Sequence, residues 1–142
     1  MIAPPAKGSP LRGRCTGQAV AEFAIAVPIV LLLVMILFDF GRVVYAQNAI
    51  TEGARAATRL ASVSAPQSDA TIRDRARIMP PGVPFPDEAI TGDGGSFYPS
   101  GTAAGSRVVV HIELEIPILT PIVSSVVGGS MTVAATSEDV VR

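Results

Sequence analysis

One apolar run constrains this sequence more than any other feature. From Phe23 to Phe38 no residue carries a charge, and Glu22 is the only charged residue between Gln18 and Phe38. At about 1.5 Å per residue, a helix over this run spans about 30 Å, the thickness of a bilayer's hydrocarbon core. The run therefore predicts a membrane-spanning helix.

Glu22 is unusual because of its place in this run. A carboxylate inside a membrane helix costs up to about 2.5–3.5 kcal/mol when it is central and less toward the end. An acid retained there usually has a partner or a task. The alternative is that Glu22 lies at the interface and its side chain extends to the water.

The residues before the run are basic. Lys7, Arg12 and Arg14 lie among prolines and glycines, with no acid in residues 1–17, which predicts a short, flexible, basic cytoplasmic leader. By the positive-inside rule, the residues after Phe40 then lie outside the cytoplasm. The run is not followed by a small-residue signal-peptidase site, so we expect no cleavage after it.

The boundary between leader and run has a distinctive arrangement, in which Gly17 precedes the run, four residues follow it, and then come Glu22 and Phe23. This resembles the class III signal of type IV pilins. In particular, it is similar to the start of the TadE-like minor pilins, or pseudopilins, of the tight-adherence (Flp-type) system. The resemblance covers about residues 12 to 61, through Pro28 and the Phe-Gly-Arg sequence at 40–42.

The resemblance implies that a membrane prepilin peptidase cuts between Gly17 and Gln18. Glycine has no side chain and a poor helix propensity, so the chain there can lie extended in a protease cleft. The new α-amine of Gln18 would lie one helical turn from Glu22, whose carboxylate would neutralise it or the amine of a neighbouring subunit. Glu22, followed by Phe23, is thus interpreted as setting register in assembly.

Pro28 lies inside the predicted membrane span. It removes a backbone hydrogen bond and clashes with the preceding turn, which predicts a kink or local unwinding. In a pilin-like helix this would ease extraction from lipid into a filament. The alternative is a proline that is simply tolerated, as prolines are in membrane helices.

The remaining residues predict a pilin-like α+β fold, in which a long N-terminal transmembrane α-helix is followed by a small extracytoplasmic domain with a short antiparallel sheet. The predicted parts are a cleaved leader at 1–17, a transmembrane helix at 18–40, an amphipathic continuation with an alanine stripe at 41–61, and the small domain at 62–142. Within that domain we expect a helix at 69–79, a Gly/Pro-rich loop at 80–105, a brief strand at 89–91, an irregular apolar link at 117–127, and strands at 108–116 and 131–136. Phe85, Phe97 and Tyr98 are expected to be exposed in the loop.

The other candidate sites are weak. In the strand at 108–116, the residues expected on the solvated face are Val109, His111, Glu113 and Glu115. The last three suggest a metal or acid/base site, but no second histidine or clustered ligand supports one. Gly92-Asp93-Gly94-Gly95 lacks the oxygen ligands of a calcium loop and predicts a turn. The helix at 69–79 contains three arginines, but two aspartates in the same helix reduce its positive charge, so we expect no nucleic acid binding.

Three functional hypotheses remain. The favoured one is a TadE-like minor pilin of the inner membrane, spanning it once with its N-terminus inside and found also in an extracellular pilus. Its partners would be the prepilin peptidase, other pilin subunits, the tight-adherence assembly platform and membrane lipid. The second is an uncleaved single-pass scaffold of the pilus or secretion machinery. The third, a membrane-tethered enzyme, is disfavoured because no nucleophile, base and orienting residue can be assembled; we expect no cofactor or metal.

Overall fold

The structure, a computed structural model, describes residues 15–78, 83 and 86–142. Most of the predicted leader, and positions 79–82, 84 and 85 of the predicted helix end and loop, lie outside the described residues. The described elements are, in order, α1 (Cys15–Val63), α2 (Asp69–Ile78), a 3-10 turn (Asp87–Ala89), β1 (Ile90–Thr91), β2 (Arg107–Pro117), α3 (Pro121–Val127) and β3 (Ser130–Val140). The prediction of an α+β fold, with a long apolar N-terminal helix and a small antiparallel sheet, is confirmed.

Helix α1 has two halves in different surroundings. In the first half the large apolar side chains are exposed, whereas in the second half one face is buried against the sheet and α2. The fully packed positions of that face are Ala46, Ala49, Ile50, Ala54, Ala57 and Ala61. The predicted alanine stripe is therefore confirmed, and its small side chains let the sheet and α2 approach the helix closely.

At Gly53, the backbone of α2 lies close to α1. A Cβ atom added there would lie 2.6 Å from the carbonyl oxygen of Ala76 in α2. Backbone atoms cannot rotate away as a side-chain end can, so the two helices would have to separate.

We expect Gly53→Ala to destabilise the domain although alanine is the better helix former. Overpacking costs about 1–3 kcal/mol, which exceeds the gain in helix propensity of about 1 kcal/mol. Thermal unfolding in detergent, followed by circular dichroism, should show a lower midpoint. Gly41→Ala is the matched control, because a Cβ at this α1 position meets nothing within 4 Å; it should be neutral or stabilising. Equal midpoints for the two variants would contradict the close approach.

The sheet has the order β1-β2-β3 and is antiparallel throughout. Strands β2 and β3 pair without interruption from Arg107↔Val140 to Pro117↔Ser130. The core-facing side of β2 is as predicted, with Val108, Val110 and Ile112 buried. The prediction of Val109 on the solvated face is wrong: it is only 4% exposed. The loop around Phe97 lies beside it, since the Val109 N–H donates to the Phe97 carbonyl oxygen at 3.0 Å.

The prediction of exposed aromatics in the loop is also wrong for the two that the structure describes. Phe97 is 1% exposed and belongs to the core, with the Arg73 guanidinium 5.6 Å from its ring centroid. The Tyr98 hydroxyl accepts from the Gln67 N–H at 3.1 Å and donates to the Ala61 carbonyl oxygen at 3.2 Å. Tyr98 therefore attaches the loop to the end of α1, and Phe97 anchors the loop in the core.

The segment predicted as an irregular apolar link contains helix α3. Pro121 begins it, where a fixed φ and a missing N–H do no harm. Gly128 ends it with φ 95°, and its N–H donates to the Ser124 carbonyl oxygen at 3.0 Å. A left-handed residue at this place is the usual glycine end of a helix.

Candidate processing and assembly site

The predicted processing residues lie in the first turns of α1. Gly17 is helical, and a Cβ atom there would meet nothing within 4 Å. The next residue is Gln18, whose side-chain amide Nε2 donates to the carboxylate Oε1 of Glu22, one turn later, at 3.0 Å. The structure thus places the Gln18 side chain against the Glu22 carboxylate; neutralisation of the Gln18 α-amine by that carboxylate stays a prediction. Phe23 is 69% exposed beside them.

Most large side chains in the apolar half of α1 are exposed in the described structure. Leu33 is 60% exposed and Leu37 is 68% exposed. By length and composition, α1 is the one described helix able to cross a membrane. Pro28 lies within it, and the helix is continuous through that residue; the kink stays a prediction.

The junction between the apolar half and the packed half is held by Asp39. Its Oδ1 accepts from the Leu119 N–H at 3.1 Å, and its Oδ2 accepts from the Thr120 N–H at 2.8 Å. Arg42 lies beside it, 3.9 Å away, and donates to the Pro117 carbonyl oxygen at 3.3 Å. Their spacing of three residues on one helix predicts an ion pair, and the pair is present, but both side chains also hold the segment that follows β2.

Strand β3 runs along α1 from this junction toward the end of the helix. The Gln47 amide Nε2 donates to the Ala134 carbonyl oxygen at 3.0 Å, and the Ser62 hydroxyl donates to the Asp139 carboxylate at 2.9 Å. The Val140 N–H, followed by the Ser62 hydroxyl, lowers the pKa of Asp139. Hydrogen bonds to the charged form explain this direction.

The lowered pKa of Asp139 predicts a loss of stability in acid. A carboxyl whose pKa is lower in the folded than in the unfolded chain stabilises the fold above its ordinary pKa of 3.8 and loses that contribution as pH falls through the folded value. Ser62→Ala removes one cause of the shift and should flatten this part of the pH dependence. The pH dependence is measured as the thermal unfolding midpoint between about pH 5 and pH 2. Ser125→Ala, which removes an exposed hydroxyl of α3, is the control. Parallel profiles for wild type and Ser62→Ala would refute the prediction.

The other candidate clusters stay apart from this site. His111 Nδ1 lies 2.8 Å from the Thr136 hydroxyl, and its Nε2 lies 3.9 Å from Glu113. Arg73 donates to the Ile90 carbonyl oxygen at 3.3 Å, and Arg77 pairs with Asp87. Over the residues that the structure describes, no group of three or more His, Cys, Asp or Glu side chains is arranged to hold a metal ion.

The predicted processing and assembly residues lie in a segment that matches a known protein family. Residues 17–59 match the family model of the TadE-like proteins. Neither the curated proteins nor the solved structures gave a match. The matched segment begins at Gly17 and contains Gln18, Glu22, Phe23 and Pro28, so the resemblance drawn from these residues is confirmed. Residues 17–59 of this chain are thus similar to the TadE-like proteins, and they contain the apolar N-terminal segment that is long enough to cross a membrane.

Proposed function

We propose that this protein is a minor pilin or pseudopilin of a tight-adherence pilus, cleaved after Gly17 by a prepilin peptidase. The mature chain begins at Gln18, and its apolar helix passes from the inner membrane into the pilus. Sister subunits and the assembly platform are its partners. The N-terminus lies on the cytoplasmic side before cleavage, and the small domain lies outside.

The observation that carries this proposal is that the TadE-like match begins at Gly17 and contains Glu22; the Gln18 side-chain amide, which donates to the Glu22 carboxylate, shows that the two residues lie on the same side of the helix. Cleavage before Gln18 would create an α-amine one helical turn from that carboxylate. The positive amine and the negative carboxylate would then neutralise each other inside a helical assembly, where an unpaired charge is costly. The bare apolar half of α1 supplies the surface on which sister helices would pack.

A second candidate is an uncleaved membrane scaffold of the same machinery. The helix begins at Cys15, ahead of Gly17, so the chain is helical across the proposed cleavage site. An anchor that keeps its leader would have this continuity. In that case Glu22 lies at the interface and bonds only to the Gln18 amide.

Intact-mass measurement and N-terminal sequencing of the membrane and pilus fractions separate the two. A chain that starts at Gln18, found also in sheared pili, is the expected result. A chain that keeps residues 1–17 in every fraction would overturn the pilin proposal and favour the scaffold.

A further inference from the structure

The connection between β2 and β3 forms an apolar end of the domain, here named the hairpin tip and defined as residues 118–129. On α3 and the residue before its cap, three large side chains recur at steps of three and four: Leu119, Ile122 and Val126. They are 61%, 58% and 81% exposed. Ile122 and Val126 are four residues apart and so lie on one face of α3, and Leu119 precedes that helix.

The position of this face is fixed by Asp39. Its carboxylate binds the N–H groups of Leu119 and Thr120 directly, at the last residues of the apolar run of α1. The hairpin tip therefore lies beside α1 at the level where the membrane-spanning segment ends. This placement depends only on where the apolar run ends, whichever side of the membrane the domain occupies.

The sequence around the tip is suited to lipid. From Ile116 to Ser137 there is no Asp, Glu, Lys, Arg or His. Both serine hydroxyls of α3 are bonded within the tip: the Ser124 hydroxyl donates to the Pro121 carbonyl oxygen at 2.9 Å, and the Ser125 hydroxyl donates to the Ile122 carbonyl oxygen at 2.8 Å. Such internal bonds lower the cost of taking a polar group out of water.

We propose that the hairpin tip is a second membrane contact, in which Leu119, Ile122 and Val126 enter the interfacial layer of the bilayer beside α1. The domain is then held against the membrane at two places, the spanning helix and the tip, which restricts its tilt. An amphipathic segment of this kind buries its apolar face about 5–10 Å into the boundary between headgroups and acyl chains. The proposal rests on α1 as a membrane anchor and is independent of cleavage and of pilus assembly.

Site-specific fluorescence tests this contact in the full-length chain reconstituted in phosphatidylcholine vesicles. The native cysteine is removed by Cys15→Ser, and an environment-sensitive dye is attached after Val126→Cys. Val63→Cys is the matched control, because Val63 is also an exposed valine, at 58%. It lies 24 residues beyond Asp39 along α1, roughly 36 Å farther from the membrane.

Lipids with a nitroxide near the headgroup should quench most of the fluorescence at position 126 and leave that at position 63 almost unchanged. Aqueous iodide should show the reverse order. Equal responses at the two positions would overturn the proposal. Protection from iodide that appears only at high protein-to-lipid ratios, with no quenching by lipid, would also overturn it and assign the tip to a second copy of the chain.

Discussion

Gly17→Val should leave the protein at full length in the membrane. A peptidase cleft that accepts an extended glycine has no room for a branched side chain, and misplacement of a scissile bond by about 1 Å costs on the order of 100-fold in rate. The expected readout is loss of the processed band in an immunoblot of the membrane fraction, with an intact mass that includes residues 1–17.

The structure makes this variant a clean test, because a Cβ at position 17 meets nothing within 4 Å. Blocked cleavage would thus not reflect misfolding. Gly41→Val is the matched control: it is also a glycine of α1 with open space around its Cβ position, and its precursor should be cut normally. Normal processing of Gly17→Val would place the cleavage site elsewhere or show that the chain is not a substrate.

The fold was predictable where a pattern repeats along the chain. The steps of three and four from Ala46 to Ala61 and the alternation from Val108 to Ile112 each reflect one buried face, and both faces are buried in the structure. The apolar run was likewise recognisable from neighbouring residues, because none of them from Phe23 to Phe38 is charged. Each of these features depends on residues that are near one another in sequence.

The errors fall where distant segments meet. Phe97 lies in a Gly/Pro-rich loop, and nothing near it in sequence shows that the loop folds back on the core. The burial of Val109 was missed for the same reason, since its N–H donates to the Phe97 carbonyl oxygen. Helix α3 was missed because seven residues are too short for a periodic pattern, although proline at its start and glycine at its end were available signals.

Sequence reasoning missed the hydrogen bonds that Asp39 accepts from the segment after β2. Its spacing from Arg42 predicted a local ion pair, but its shortest bonds go to N–H groups about 80 positions away. An acid at the end of an apolar run was the only local sign. The Gln18–Glu22 pair, by contrast, is local, one turn apart on one helix, and could be found from spacing alone.

Glu22→Ala should insert in the membrane and be cleaved, yet be depleted from assembled pili. Leaving one charge of a buried pair without its partner costs about 3–5 kcal/mol. A loss of that size predicts a fall in incorporation of about a hundredfold to a few thousandfold. The measurement is the ratio of variant protein in sheared pili to processed variant protein in the membrane.

Two further substitutions separate charge from shape. Glu22→Gln keeps the side-chain length and a hydrogen bond to Gln18 but removes the charge, so it should fail as Glu22→Ala does. Glu22→Asp keeps the charge on a shorter stem and should retain part of the incorporation. If Glu22→Gln entered pili as well as wild type, the carboxylate would serve only as a hydrogen-bond acceptor, and neutralisation of the Gln18 amine would not be what sets the register of the subunits.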